Sequence, residues 1–169
     1  MQVIKYSMLL LVFISSTLIG KYIAQHYYYR LKELEDIRTA LNILKSKIKF
    51  TYEPLPEIFN EIAKNINKNI AQLFENSTKK MENKTATEAW NESIEEYKGN
   101  LTEEDKQVIK TLSKMLGTTD SEGQISQIEV TENFLDNQIK QAQEEKNKNE
   151  KLYKKLGSTI GLAIVIILI

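Results

Sequence analysis

The sequence predicts an all-α fold, a six-helix bundle flanked by N- and C-terminal transmembrane helices, and three observations predict it. Apolar residues recur at steps of three and four through most of the interior, the signature of helices with one buried face. Each end of the chain holds an uncharged, largely apolar run, Tyr6 to Gly20 and Leu156 to Ile169. Six glycines and two prolines in 169 residues leave long stretches without a helix breaker. The predicted organisation is an N-terminal anchor and juxtamembrane segment over 1–29, a helical bundle over 30–155 and a C-terminal anchor over 156–169.

Tyr6 to Gly20 carry no charge and lie between Lys5 and Lys21. A membrane-spanning helix takes roughly 20 apolar residues, and Ile23, Ala24 and the Tyr27-Tyr28-Tyr29 cluster extend this run to that length. Lysines snorkel and tyrosines suit the headgroup region. The same segment also fits a cleaved signal peptide, with Lys5 as the basic region, Met8 to Ile14 as the apolar region and Ser15-Ser16-Thr17 near the cut; a retained anchor is the reading taken. Leu156 to Ile169 carry no charge either, and Lys151, Lys154 and Lys155 mark a sharp border before them. Positive flanks stay in the cytoplasm. These three lysines, with Lys21, Arg30 and Lys32, place the bundle there and Ile169 outside, lone Lys5 opposing. Gly157 and Gly161 form a GxxxG, and Ser16 and Gly20 a small-xxx-small pair. That spacing lets helices approach closely in lipid, either with each other or with other membrane proteins.

Between the ends, Leu31, Leu34, Ile37, Leu41, Leu44 and Ile48 form the first helix face, with Glu33, Glu35, Arg38, Lys45 and Lys49 on its polar side. This helix stops near Tyr52, because Pro54 disfavours α geometry at Glu53. A second face comprises Leu55, Ile58, Phe59, Ile62, Ala63 and Ile66, and a third Ile70, Leu73, Phe74 and Met81. Thr85 with Glu88, and Thr102 with Asp105, match the capping box, in which side chain and backbone satisfy each other's orphan amides. The first box opens a helix burying Ala89, Trp90, Ile94 and Tyr97. The second opens one burying Val108, Ile109, Leu112, Met115 and Leu116 and ending at Gly117. After a turn at Asp120 and Gly123, a last long helix starts near Gln124 with Ile125, Ile128, Leu135 and Ile139 inside. Gln143 to Lys151 are almost wholly polar and form a solvated bridge to the C-terminal anchor.

Little in the chain points to chemistry. The formal net charge is zero, from 23 basic and 23 acidic residues, which gives no basic face for nucleic acid. There is no cysteine, and one histidine, His26, stands where the first apolar run ends. No nucleophile–base pair through Cys or His can be assembled, and no phosphate-cradling GxxxxGK[ST] exists. The expectation is therefore no enzyme, no cofactor, no metal and no small-molecule substrate. Asn76, Asn83, Asn91 and Asn100 open N-x-[ST] sequons, which an Asn-rich cytoplasmic chain contains by chance. One charge feature stands out: Glu82 to Asp105 hold eight acidic residues and two lysines. Glu88, Glu92, Glu95 and Glu96 lie on the helix of Trp90 away from its apolar face, a candidate docking surface for a basic partner. Glu33, Glu35 and Arg38 on the juxtamembrane helix are the second candidate.

The order of these features resembles the stage III sporulation protein AB family of spore-forming Firmicutes, over the whole chain. The resemblance is carried by L-x-x-L…R-x-A-L-x-x-L from Leu31 to Leu44, Pro54-Leu55, Ile62-Ala63 and Leu73-Phe74. It continues through Ala89-Trp90 with Glu92, Leu116-Gly117 with Asp120, Asn149-Glu150-Lys151, and Leu156-Gly157 ahead of the aliphatic end. Lys47, Phe50 and Glu53 depart from the family pattern in one short stretch. The family is similar to the cytoplasmic domain of the inner-membrane platform protein of type II secretion and type IV pilus machines. The resemblance implies a six-helix bundle in the mother-cell cytoplasm, anchored in the outer forespore membrane. It implies a place in the channel between mother cell and forespore, with partners in the secretion-type ATPase stage III sporulation protein AA, other members of the same channel apparatus and membrane lipid. The competing class is a membrane-tethered helical sensor or ligand-binding domain. A sensor needs an output module beyond its second span and a domain outside the cell, and both the chain's end at Ile169 and the lysine placement run against it.

Overall fold

A computed structural model describes residues 2–51 and 53–168 of the chain. Tyr52, where the sequence stops the first helix, and Ile169, its predicted outer end, lie outside the described residues. The described residues form six α-helices and a short 3-10 helix: α1 Gln2–Phe50, α2 Leu55–Asn65, α3 Lys68–Lys80, α4 Ala86–Glu96, α5 Glu103–Lys110, the 3-10 helix Thr111–Lys114, and α6 Ser121–Leu168. No strand occurs among them. The first predicted anchor and the first bundle helix are one element, α1, and the last bundle helix and the second anchor are one element, α6. The chain divides into two compact units, Lys32–Lys140 and the pair of segments Met1–Leu31 with Gln141–Ile169. Each of α1 and α6 contributes residues to both units.

The unit over Lys32–Lys140 is built on the faces that the periodicity marks. Leu34, Ile37, Leu41 and Leu44 of α1 are completely buried, and so is Ala40. Ile58, Phe59 and Ile62 of α2, and Ile70, Leu73 and Phe74 of α3, complete one side of the core. At its centre, Trp90 of α4 meets Phe59 and Phe74 with ring centroids 5.5 and 5.2 Å away, and Phe59 and Phe74 stand edge to face at 5.1 Å. Edge-to-face and tilted rings at these separations add attraction beyond the area they bury. The indole N–H donates to the Ile109 carbonyl at 3.2 Å, so the one polar atom of the buried tryptophan is satisfied. Charge pairs join α1 and the antiparallel α6 in this unit: Arg38 on Asp136, and Lys45 on Glu132 at 2.5 Å.

Both capping boxes form. The Thr85 hydroxyl accepts from the Glu88 amide while the Glu88 carboxylate accepts from the Thr85 amide, and Thr102 with Asp105 repeats the arrangement. Two details differ from the sequence reading. Met115, expected inside, is 42% exposed, because α5 ends at Lys110 and the chain tightens into the 3-10 helix. Three residues per turn in place of 3.6 rotates Met115 outward while Leu112 and Leu116 stay buried. Gly117 then takes φ +70°, a left-handed conformation in which a Cβ would be strained and would also press on Leu55. The last helix starts at Ser121 and not near Gln124, because Asp120 caps it, its carboxylate accepting from the Gly123 amide at 2.9 Å. Gly123 therefore sits in the first turn.

In the second unit the N-terminal part of α1 and the C-terminal part of α6 run antiparallel as a helical hairpin. Tyr27 stacks on Tyr153 with ring centroids 5.9 Å apart, and buried Arg30 pairs with Glu145 at 2.6 Å. Its outer face is apolar: Met8, Leu10, Leu11, Leu18 and Ile19 of α1, and Leu162, Ile166 and Ile167 of α6, are more than half exposed.

Candidate interaction surfaces

The small residues of the hairpin meet one another. A Cβ built on Gly20 would stand 2.6 Å from the Tyr153 carbonyl oxygen and 2.8 Å from the Gly157 Cα. One on Gly157 would stand 2.9 Å from the Ser16 carbonyl oxygen and 3.0 Å from the Gly20 Cα. Gly161 faces Phe13 and Ser16. The Ser16 hydroxyl donates to the Gly157 carbonyl at 2.8 Å, across a separation that only glycine on both helices permits. Among the described residues one helix, α1, is long and apolar enough to cross a membrane by length and composition.

On α4 the four candidate glutamates do not form a bare negative face. Glu88 is the return half of its capping box, and the Thr85 hydroxyl and amide hold its carboxyl below the usual carboxylate range. Glu92 lies between Lys84 at 2.6 Å and Lys80 at 3.4 Å. Glu95 pairs with Lys110, and Glu96 with Lys80 at 2.7 Å. Hydrogen bonds from Lys84 and Lys110 likewise lower the carboxyls of Glu92 and Glu95. Lysines from α3, the α3–α4 loop and α5 thus interleave with the acids. Glu95 and Glu96 keep open side chains, 59% and 62% exposed, against 43% for Glu92.

The juxtamembrane candidates separate into three situations. Glu35 is exposed. Arg38 forks onto Asp136, its Nη2 donating to Oδ2 at 3.1 Å. Glu33, which the sequence places on the polar face, is buried. Its two oxygens accept from the backbone amide and side-chain amide of Asn100, each at 2.7 Å. A buried carboxylate must be paired by strong donors, and this one straps the α4–α5 loop to α1. Tyr97 is part of the same cluster; burial first, then the Glu33 charge, pushes its phenol well above the ordinary tyrosine range. Burial likewise raises Asp36. Sequence reasoning missed this cluster, although Arg30, Glu33, Ile37, Ala40 and Leu44 share one three-and-four spacing on α1, and all five are buried.

Other surfaces offer little chemistry. A polar groove runs between Asn69, Gln72 and Asn76 of α3 and Ser93, Glu96 and Asn100 across from them. Among the described residues no three of His, Cys, Asp and Glu are grouped to hold a metal ion. His26 lies edge to face against Tyr27 at 5.9 Å.

The fold and its surfaces define a membrane-associated protein in which an all-helical bundle is carried on helices with apolar ends. The sequence matches the family model of stage III sporulation protein AB (spore_III_AB) over residues 5–169, and the chain belongs to that family. It is 26% identical over 159 residues to stage III sporulation protein AB of Bacillus subtilis (strain 168), covering 92% of this chain and 93% of that protein. It is similar in fold to a solved structure of stage III sporulation protein AB, with a TM-score of 0.65 and 22% identity, covering 70% of this chain and 96% of that one. Family membership gives the chain a role in the sporulation apparatus.

Proposed function

We propose that this chain is a membrane-anchored helical scaffold of the channel between mother cell and forespore, docking the secretion-type ATPase stage III sporulation protein AA to that channel. The bundle would stand in the mother-cell cytoplasm, with both α1 and α6 anchored in the outer forespore membrane. The observation that supports this reading is that α1, which is long and apolar enough to cross a membrane, also supplies buried residues to the bundle. Its interior supports the same reading: the centre is filled by Phe59, Phe74 and Trp90, which leaves surfaces to do the work. The α4 face is the proposed docking surface, through Glu95 and Glu96, with Glu35 and Arg38 as the second. An interleaved lattice of lysines and glutamates gives register and salt dependence to an encounter more than raw affinity.

The test is capture of the ATPase from detergent-solubilised membranes of sporulating cells with the tagged full chain. The ATPase is expected to co-purify. Glu95→Lys with Glu96→Lys should lower the yield several-fold and reduce its salt sensitivity, since exposed charges contribute about 0 to 1 kcal/mol each. Helicity and melting temperature measured on the same variant separate lost docking from the lost pairs with Lys110 and Lys80. Unchanged capture by a folded variant moves the docking surface elsewhere. No capture by the unaltered chain refutes the docking role.

A further inference from the structure

We propose that the hairpin carries a basic collar, built jointly by α1 and α6, that selects anionic phospholipid headgroups; this deepens the membrane-anchored reading and rests on it. The collar is a product of packing. Because Gly20 is pressed against the backbone of Tyr153 and Gly157, Lys21 of α1 stands level with Lys154 and Lys155 of α6. Lys151 lies one turn further along α6 from them. All four side chains are exposed. Only Lys154 has a carboxylate partner among the described residues, Glu150 at 2.6 Å. Glu150 also feels the charge of Lys151, so four exposed lysines stand with one carboxylate where the uncharged residues of both helices end.

The surroundings match a headgroup layer. Tyr22 is 78% exposed, and one to two turns further along α1 Tyr27 stacks on Tyr153 and the Lys146 ammonium lies over the Tyr28 ring at 5.2 Å. Tyrosine rings of this kind settle at the membrane–water interface. From Tyr6 to Gly20 the uncharged helix is about 22 Å long at about 1.5 Å per residue, shorter than the roughly 30 Å of a hydrocarbon core, and the lysine stems at its ends make up the difference by reaching outward to the headgroups. Lys21 is thereby set at the phosphate level. Lysines clustered next to a spanning helix are drawn to a negatively charged leaflet, and phosphodiester oxygens are acceptors for ammonium groups at this depth. The occupant is a lipid and not a soluble phosphate, because the amines border the apolar surface that acyl chains cover.

The test uses the full chain reconstituted in phosphatidylcholine vesicles doped with either spin-labelled phosphatidylglycerol or spin-labelled phosphatidylcholine. Electron paramagnetic resonance measures how much of each label is motionally restricted by the protein. The expected result is a preference of roughly threefold or more for the anionic lipid, falling toward unity in molar salt. The preference should be lost in the variant carrying Lys21→Gln, Lys151→Gln, Lys154→Gln and Lys155→Gln, and kept when the same four are changed to Arg. Equal restriction of the two lipids by the unaltered chain overturns the proposal. So does a preference that the glutamine variant retains, or one that millimolar glycerol phosphate abolishes, which would assign the amines to a soluble anion. Restriction of neither lipid would overturn the membrane-anchored reading itself and the collar with it.

Discussion

Trp90→Ala is expected to lower the stability of the chain by about 3–5 kcal/mol, the range for removing a large aromatic side chain from a packed core. Trp90 has no exposed surface, and it is the ring that joins Phe59 of α2 and Phe74 of α3 to α4. Its N–H also holds the Ile109 carbonyl near the end of α5. Truncation leaves a cavity at the meeting point of four helices and removes one of the two donors to the Ile109 carbonyl, the Thr111 amide remaining. Urea denaturation of the full chain in mild detergent, followed by far-ultraviolet circular dichroism, measures the effect. Trp90→Phe, which keeps a ring and loses the hydrogen bond, should fall between wild type and Trp90→Ala. An unchanged midpoint for Trp90→Ala would show that the core is organised around other residues.

The second large effect is expected in the hairpin, from Gly157→Leu. A Cβ at this position already presses on backbone atoms of Ser16 and Gly20, and backbone cannot rotate aside as a side-chain tip can. The helices must separate, at a cost of about 1–3 kcal/mol and with loss of the Ser16 hydrogen bond. The chain contains no cysteine, so an introduced pair reports the spacing directly. Gly161→Cys with Ser16→Cys places the two Cβ atoms 3.2 Å apart, near the separation a disulfide needs. Oxidation of that pair should be efficient, and adding Gly157→Leu should reduce it about tenfold, since about 1.4 kcal/mol corresponds to a factor of ten. Cross-linking unaffected by the leucine would mean that the glycines are not what sets the approach of the two helices.

The parts of this molecule that follow local rules were legible from the sequence. Periodicity located Leu34, Ile37, Leu41 and Leu44, and the spacing of Thr85 to Glu88 and Thr102 to Asp105 located two helix starts, because each signal is contained within a turn or two of chain. What the sequence reading missed depends on partners distant in sequence. Glu33 reads as a surface residue until Asn100, 67 residues away, donates to both of its oxygens. Glu92, Glu95 and Glu96 read as one negative patch until Lys80, Lys84 and Lys110 fold against them. Met115 was placed inside by a 3.6-residue period that a 3-10 helix interrupts. The small residues at Ser16, Gly20, Gly157 and Gly161 were visible as motifs, but their spacing left two pairings open, with each other or with other proteins, and the contact between Gly20 and Gly157 is one between residues 137 apart that no local pattern shows.

Anchoring of the bundle in the membrane is the claim on which the scaffold reading stands. It is tested most directly by extracting membranes of sporulating cells with alkaline carbonate, which strips peripheral proteins and leaves spanning ones. The account predicts that the full chain stays with the membrane pellet, held by the apolar surface of α1 and α6, and that it leaves only with detergent. Release of the chain into the carbonate supernatant would contradict it.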